Sequence, residues 1–273
     1  MNIESIDWNK IWKEKRKKLP KKRHTSQFWD KRAPSFSAHA HKSKYATDFL
    51  KIIKPAPEDT VLDMGSGSGT LAIPLAFKVK KVTAVDFSDN MLRHLRDFAR
   101  KDNLKNIKTI KASWEDDWEK AKIGKHDIAV ASRSVAIDDL RTGIIKLNKA
   151  VKKRVYLSTV AGDGPHDRKI FEAIGREFIP PIDYIYVYNL LYQMGITANV
   201  NYIYDRYDRI YDSHESAFNS SLWMLNEITR QEEDRLSKFL KDHLVKRGSK
   251  WKFDYKKEVK WAVIWWEKEN DIF

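Results

Sequence analysis

The stretch Val61-Leu62-Asp63-Met64-Gly65-Ser66-Gly67-Ser68-Gly69 decides the fold, because an apolar run breaks there into glycines at every second position. The apolar residues up to Leu62 predict a buried strand, and Thr70–Phe77 predicts the helix that follows it. Glycines permit positive φ angles and close backbone approach, and the first N–H groups of a helix are free to donate. The stretch therefore predicts a turn that meets a nucleotide-like ligand, although similar turns also occur in ordinary strand-to-helix connections.

The second predicted strand, Val82–Asp86, ends in an acidic residue 21 positions after Gly65. In doubly wound folds a carboxylate on the second strand, about 20 residues further on, hydrogen-bonds the ribose hydroxyls of a bound nucleotide. Asp86 is therefore predicted to bind ribose, and the two features together favour a nucleotide site over an ordinary connection.

The residues on either side of the glycines separate two classes of cofactor. A dinucleotide site has Gly or Ala three positions after its second glycine, and this chain has Thr70 there. Asp63 lies two positions before the first glycine, where a carboxylate would repel a pyrophosphate but would hold the ammonium group of an amino acid, directly or through water. The pattern favours an adenosyl amino acid over NAD.

Two motifs resemble motifs I and II of the class I S-adenosylmethionine-dependent methyltransferases of the small-molecule type: Asp63-x-Gly65-x-Gly67-x-Gly69, and Val85-Asp86-Phe87-Ser88 with Asn90-Met91. The resemblance implies an α/β fold with a Rossmann-like, seven-stranded, mostly parallel sheet whose seventh strand is antiparallel. It also implies an N-terminal helical segment and a helical lid, an enzyme, and S-adenosylmethionine as the cofactor.

The resemblance further implies which residues bind the cofactor. The glycine turn and Asp63 would hold its amino-acid end, Asp86 its ribose, and Phe87 and Met91 would flank its adenine. The family often has Asp at the corner after strand three, where this chain has Ser113, so the backbone of Ser113 and Trp114 is expected to serve, with Glu115 or Asp116 as a substitute. The predicted cofactor-binding residues are Asp63, Gly65, Ser66, Gly67, Gly69, Asp86, Phe87, Met91, Ser113, Trp114 and Ser132.

The chemistry of methyl transfer is less visible in the sequence. Ser132-Arg133-Ser134 follows the fourth predicted strand, at the edge where open α/β sheets bind ligands, and it lacks the Asp/Asn-Pro-Pro-aromatic run of base-amine methyltransferases. Two interpretations fit Arg133: it binds a carboxylate of the substrate or the cofactor, or it forms a surface salt bridge. Two also fit Tyr45: it contacts the ligand, or it belongs to the core. A tyrosine-rich segment around residues 179–194 fits either a lid over a small organic substrate or a helix on the sheet. The candidates for catalysis are Tyr45, Arg133, Asn189 and Tyr192.

The order of patterns along the chain predicts three parts of one large domain: a basic helical segment over the cofactor site (1–54), the cofactor-binding core (55–165), and lid helices with strands six and seven (166–273). Strand six is predicted over 196–203 and strand seven over 259–266. Thr229-x-x-Glu232 is a capping box that begins a helix expected to run to just before Gly248.

Composition limits the classes of function. The 273 residues include no cysteine, which excludes disulfides, a cysteine nucleophile and a cysteine-ligated iron–sulfur cluster. His39 and His41 lack a third ligand in sequence, so no metal site is predicted. No apolar run is long enough to span a membrane and no secretory signal is visible, so the cytoplasm is the expected location and no membrane partner is expected.

The positive charge is concentrated at the N-terminus. Residues 1–54 hold 15 Lys and Arg against 5 Asp and Glu, a net of +10, whereas the other 219 residues hold 37 against 33, a net of +4. Lys10–Arg23 is predicted to be a solvated, partly helical segment docked through Trp8, Ile11 and Trp12, and the competing interpretation is an arm that binds nucleic acid. A small organic acceptor is thus the first hypothesis, an RNA or protein acceptor the second, and a dehydrogenase or non-catalytic nucleotide-binding protein the third. The oligomeric state is not visible in the sequence.

Overall fold

The computed structural model describes residues 5–19, 25, 27–30, 44–135, 137–205, 209–225 and 227–268. Residues 31–43, which include His39 and His41, lie outside this described part. By its internal contacts the chain divides into two units, the first comprising Met1–Val160, Ile182–Ile203 and Ala262–Phe273, and the second Ala161–Pro181 and Tyr204–Trp261.

A seven-stranded sheet, mostly parallel with one antiparallel strand, organises the first unit. The strands are β1 (Thr60–Met64), β2 (Lys81–Asp86), β3 (Ile107–Lys111), β4 (His126–Ser132), β5 (Val151–Ala161), β6 (Asn199–Asp205) and β10 (Val259–Glu267), where β7 to β9 belong to the second unit. Their spatial order is β3-β2-β1-β4-β5-β10-β6. The predicted sheet, including its seventh strand, is confirmed.

Strand β1 lies in the middle of the sheet and pairs in parallel with both β2 and β4. Its apolar residues Val61 and Leu62 are fully buried, as expected for a parallel strand covered on both faces. Because the chain order changes direction at β1, the carboxyl ends of β1 and β4 border the crevice in which open α/β sheets bind ligands.

Six helices accompany the sheet within the described part of the first unit, besides a helical turn over residues 27–30. They are α1 (Trp8–Lys18), α2 (Lys44–Ile53), α3 (Ala72–Ala76), α4 (Asp89–Lys101), α5 (Leu140–Ala150) and α7 (Tyr184–Gln193). Helix α3 is shorter than the predicted span of 70–77, because residues 67–71 remain in turns. None of the described helices is both long and apolar enough to cross a membrane.

Helix α1 is docked on the first unit through one face. Its Trp12 ring is 2% exposed, and the indole Nε1 donates to the Ile137 carbonyl at 2.9 Å. Lys13 pairs with Asp139 at 2.5 Å and the buried Arg16 with Asp138 at 3.6 Å. The predicted docking through an aromatic face therefore holds, with salt bridges that the sequence pattern did not indicate.

The second unit has its own core and a small antiparallel sheet. It contains α6 (Arg168–Ile174), β7 (Ile210–Tyr211), α8 (His214–Leu225), α9 (Arg230–His243), β8 (Leu244–Arg247) and β9 (Lys250–Phe253), with the strands in the order β7-β9-β8. The capping box at the start of α9 is present, since the Thr229 hydroxyl accepts from the Glu232 N–H and the Glu232 carboxylate accepts from the Thr229 N–H.

The predicted end of that helix is wrong. Helix α9 ends at His243, and Leu244–Arg247 is the first strand of a hairpin with β9. Gly248, at φ +61°, supplies the left-handed residue of the hairpin turn, where the sequence pattern had suggested a helix terminus. Cross-strand pairing with Lys250–Phe253, which is a tertiary contact, decided the conformation of Leu244–Arg247.

Candidate functional site

The glycine turn connects β1 to α3 at the carboxyl edge of the sheet. Gly65, Gly67 and Gly69 have φ angles of +72°, +53° and +94°. The N–H groups of Gly65 and Ser66 both donate to the Val85 carbonyl, at 2.8 and 2.9 Å. A Cβ atom on Gly65 would lie 2.3 Å from the Ser134 Cβ, so this position requires glycine both for its φ angle and for the close approach.

Asp86 ends β2 and ties that strand to the glycine turn. One carboxylate oxygen accepts from the Gly67 N–H at 2.8 Å and the other from the Ser88 N–H at 2.9 Å. Burial raises the pKa of Asp86, and these two hydrogen bonds oppose the rise. Each carboxylate oxygen can accept more than one hydrogen bond, so the predicted contact with ribose hydroxyls is compatible with this geometry.

Asp63 is a buried carboxylate with an unsatisfied oxygen. Its side chain is 1% exposed and Oδ2 has no hydrogen-bond partner. Burial, together with the nearby Asp86, raises its pKa to about 7. The hydroxyls of Ser66 and Ser68 are also buried without a partner. Buried polar groups are nearly always hydrogen-bonded, so three unpartnered groups around one turn make this turn the candidate site for a polar ligand.

The corner after β3 is held by bonds within the protein. The Ser113 N–H donates to the Asp116 carboxylate at 2.8 Å, and the Ser113 carbonyl accepts from the Trp118 indole at 3.1 Å. Lys146 donates to the Trp114 carbonyl at 2.6 Å. The Ser113 N–H, the Ser113 carbonyl and the Trp114 carbonyl thus already have protein partners, and a contact of any of these three groups with adenine would be an additional one.

The two residues predicted to flank adenine differ in exposure. Met91 is 1% exposed, and its N–H donates to the Ser88 hydroxyl that caps α4. Phe87, directly after β2, is half-buried. Met91 is therefore a core residue at the start of α4, and Phe87 is the one of the pair with an accessible face.

A second polar cluster joins the carboxyl ends of β4 and β5. The Tyr45 hydroxyl lies 2.7 Å from the Ser132 Oγ and 2.5 Å from the Ser158 Oγ, and its side chain is 1% exposed. Arg133 has a φ angle of +54°, and its guanidinium carbon lies 4.1 Å from the centre of the Tyr45 ring. Positive φ in a residue other than glycine stores strain of the kind found at functional sites. The structure thus brings together three of the predicted residues, Tyr45, Ser132 and Arg133.

The tyrosine-rich helix does not join this cluster. Helix α7 directs Val187, Leu190 and Leu191 into the core of the first unit. It leaves Tyr192 67% exposed and Asn189 half-buried. Of the two interpretations of this segment, a helix packed on the domain is the one that the structure shows.

The sequence did not predict the roles of three neighbours of the site. The Ser134 hydroxyl donates to the Met64 carbonyl at 2.6 Å, and the Ser158 hydroxyl is hydrogen-bonded to the Tyr45 hydroxyl. Asp30 accepts from the Ser88 hydroxyl at 2.5 Å. Asp30 follows two aromatic residues, Phe28 and Trp29, which is a usable signal in the sequence. The serines carry no pattern that distinguishes them from ordinary strand-end residues.

Comparison with known proteins supports the sequence resemblance. The family profile described as "Methyltransferase domain" matches residues 61–154. An uncharacterized protein of Haemophilus influenzae is 36% identical over 246 residues, covering 87% of this chain and 88% of that protein. An uncharacterized RNA methyltransferase of Streptococcus mutans is 29% identical over 146 residues, covering 50% of this chain but 31% of that protein. The solved structure of the BH2331 protein of Bacillus halodurans matches with a TM-score of 0.57 at 14% identity, covering 84% of this chain and 100% of that one, which is a likeness of fold.

Proposed function

Because the chain belongs to the class I S-adenosylmethionine-dependent methyltransferases, we propose that it transfers the methyl group of that cofactor to a small organic acceptor. S-adenosylmethionine supplies, when bound, a methyl group on a sulfonium that is already a good leaving group. The task left to the protein is to bind the cofactor, exclude water and align the nucleophile.

The residues around the glycine turn fit this cofactor. The unsatisfied Asp63 oxygen is an acceptor for the ammonium group of the methionine part, and the hydroxyls of Ser66 and Ser68 are available for its carboxylate. Asp86 is proposed to bind the ribose hydroxyls while it holds Gly67. Phe87 is proposed to contact the adenine, next to the corner of Ser113 and Trp114.

Tyr45 and Arg133 are proposed to shape the acceptor side of the site and not to transfer protons. The hydroxyl of Tyr45 is engaged by two serines, and burial raises its pKa, so it is a poor base near neutral pH. The strained Arg133 is the residue of this cluster that carries charge, which suits a carboxylate of the cofactor or the acceptor. No comparable contact or backbone strain supports a role for Asn189 or Tyr192 in catalysis.

The packing of α1 is the observation that favours a small acceptor over a nucleic acid. A basic arm that docks a nucleic acid must present its charges to solvent, yet Lys13 and Arg16 pair with acidic residues of the first unit. Lys15 lies over the Tyr186 ring at 5.0 Å. Three of the six basic residues of α1 therefore contact the protein itself, although Lys15 is also exposed to solvent.

An RNA acceptor is the second candidate, and a specific observation favours it as well. The remaining basic residues of α1, Lys10, Lys17 and Lys18, are exposed. Part of the chain is also similar to an RNA methyltransferase of S. mutans. Three lysines on one helix are enough to contact phosphates, so the two candidates need an experiment that tells them apart.

We expect radiolabel from S-[methyl-³H]adenosylmethionine to enter a pool of small metabolites and not an RNA pool. A variant with Lys10, Lys17 and Lys18 all changed to Gln should label that pool at a rate within twofold of the wild type. The matched control changes the exposed lysines Lys78, Lys80 and Lys81 to Gln, at the opposite edge of the sheet. If RNA is the acceptor, label will enter RNA, and this labelling will be lost in the α1 variant but kept in the control. The slope of log K for RNA binding against log salt concentration would then fall by about 2 in the α1 variant, because three phosphate contacts are lost.

We expect calorimetry to detect binding of S-adenosylmethionine and of its demethylated product but not of NAD. Asp86→Ala should weaken the binding of S-adenosylmethionine by roughly 10- to 100-fold, because a hydrogen bond to a charged group contributes about 1.5–3 kcal/mol. The control is Asp89→Ala, an exposed acidic residue three positions later, which should leave the affinity unchanged. Binding of NAD without binding of S-adenosylmethionine would overturn the assignment.

A further inference from the structure

The second unit contains a polar cluster that the methyltransferase site does not use. Asp167, in the segment directly after β5, is 4% exposed and accepts a hydrogen bond from the Tyr255 hydroxyl at 3.0 Å. Arg209 donates to the Pro165 carbonyl at 2.9 Å. These groups come from three separate parts of the second unit and meet at the loop 162–167.

Lys257 completes the cluster as a buried cation. Its Nζ atom is buried and has no hydrogen-bond partner. Burial lowers the pKa of Lys257 to about 8, the attraction of Asp167 and Asp163 opposes this shift, and the repulsion of Arg209 adds to it. A buried ammonium group without an acceptor is costly, and such groups are usually paired with an anion.

The charges of the cluster leave one positive charge in excess. Asp163 is engaged by Arg168, with an N–O distance of 2.8 Å, so its charge is already balanced. Among the residues that the structure describes here, Asp167 is then the one carboxylate left to face Lys257 and Arg209. An added monoanion would neutralise the cluster, whereas a phosphate dianion would make it negative beside Asp163 and Asp167.

We propose that Lys257 and Arg209 bind the carboxylate group of a small organic ligand in the second unit. The two oxygens of a carboxylate suit two cationic donors, and the Lys257 ammonium gains the acceptor that it lacks. This inference does not depend on which molecule accepts the methyl group.

A group of aromatic rings lies next to Asp167 and guides the choice of probe. His166 precedes Asp167 in the chain, and its ring centre lies 5.3 Å from that of Trp223 and 6.5 Å from that of Phe171. Phe171 and Phe178 are 5.1 Å apart in an edge-to-face contact. Such rings favour a flat apolar body, so an aromatic carboxylate such as benzoate is the appropriate probe.

The test is an NMR titration of Lys257 with pH in the full-length protein labelled with ¹³Cε-lysine. Its resonance is identified by its loss in Lys257→Met and should titrate near pH 8 in the free protein. We expect saturating benzoate to raise this midpoint by about one pH unit or more, since a bound carboxylate favours the charged amine. Neutral benzamide, which has the same shape but no charge, should leave the midpoint unchanged.

Variants provide a second measurement. Lys257→Met should weaken benzoate binding at least tenfold in calorimetry, and the control Lys256→Met, at the neighbouring exposed lysine, should bind as the wild type does. If Lys257→Met does not fold, the charge-conserving Lys257→Arg identifies the resonance by its loss, and the titration of the wild-type protein still decides the question. An unchanged midpoint with benzoate, equal effects of benzoate and benzamide, or a larger shift with inorganic phosphate would each overturn the proposal.

Discussion

Gly65→Ala should abolish the binding of S-adenosylmethionine and lower the free energy of unfolding by about 2–4 kcal/mol. Two costs add. A residue other than glycine is strained at φ +72°, and the new Cβ would lie 2.3 Å from the Ser134 Cβ. Ser134 cannot retreat freely, because its hydroxyl donates to the Met64 carbonyl at 2.6 Å. Urea unfolding and calorimetry measure the two effects.

The chain offers a matched control for this prediction. Gly162 has a similar φ angle of +67°, but a Cβ on it would meet nothing within 4 Å. Gly162→Ala should therefore carry only the backbone strain, about 1–2 kcal/mol. Adding Ser134→Gly to Gly65→Ala should recover part of the stability. If Gly65→Ala and Gly162→Ala were equally destabilising, the contact with Ser134 would not be the reason for glycine at position 65.

Asp63→Asn should have opposite effects on stability and on cofactor binding. At pH 8 the ligand-free variant should unfold at a higher temperature than the wild type, because it no longer buries a carboxylate whose pKa is raised to about 7. The same change should weaken the binding of S-adenosylmethionine more than tenfold, since an amide cannot pair with an ammonium group as a carboxylate does. Thermal unfolding and calorimetry at the same pH test both signs.

The pH dependence of this effect follows from the direction of the shift. The carboxyl has its ordinary pKa of about 3.9 in the unfolded chain, so the native state binds the proton more tightly. Its contribution to stability is fully present below about pH 4 and is lost as the pH rises to about 7. The stability advantage of Asp63→Asn should accordingly grow between those values and then level off.

Cofactor binding should show the complementary dependence. The ionised carboxylate binds the ammonium group, so the affinity of the wild type should rise up to about pH 7 and binding below it should release a proton. The variant should lack both features. Asp48→Asn, at a carboxylate on α2 that pairs with Lys51 at 3.1 Å, should keep the wild-type profile and serves as the control. A flat wild-type profile would contradict the assigned role of Asp63.

Local patterns of sequence predicted the fold, which the structure confirms, and part of the candidate site. The alternating glycines, Asp86 at the end of the next strand and the capping box of α9 each act over a few residues or one strand-to-helix unit, so they are readable without a structure. Asp63 belongs with them, because its position before the glycines is enough to predict a contact with the ammonium group of an adenosyl amino acid.

Only the tertiary structure decided which distant residues meet. Ser134 lies against Gly65, Tyr45 reaches Ser158 across 113 positions, and Lys257 is buried beside Asp167 without a partner. Leu244–Arg247 became a strand through pairing with β9, against its helical pattern. The periodicity of a sequence indicates which face of a helix or strand is buried. It does not indicate which residues of another element pack against that face, because those are set by how the strands and helices pack together.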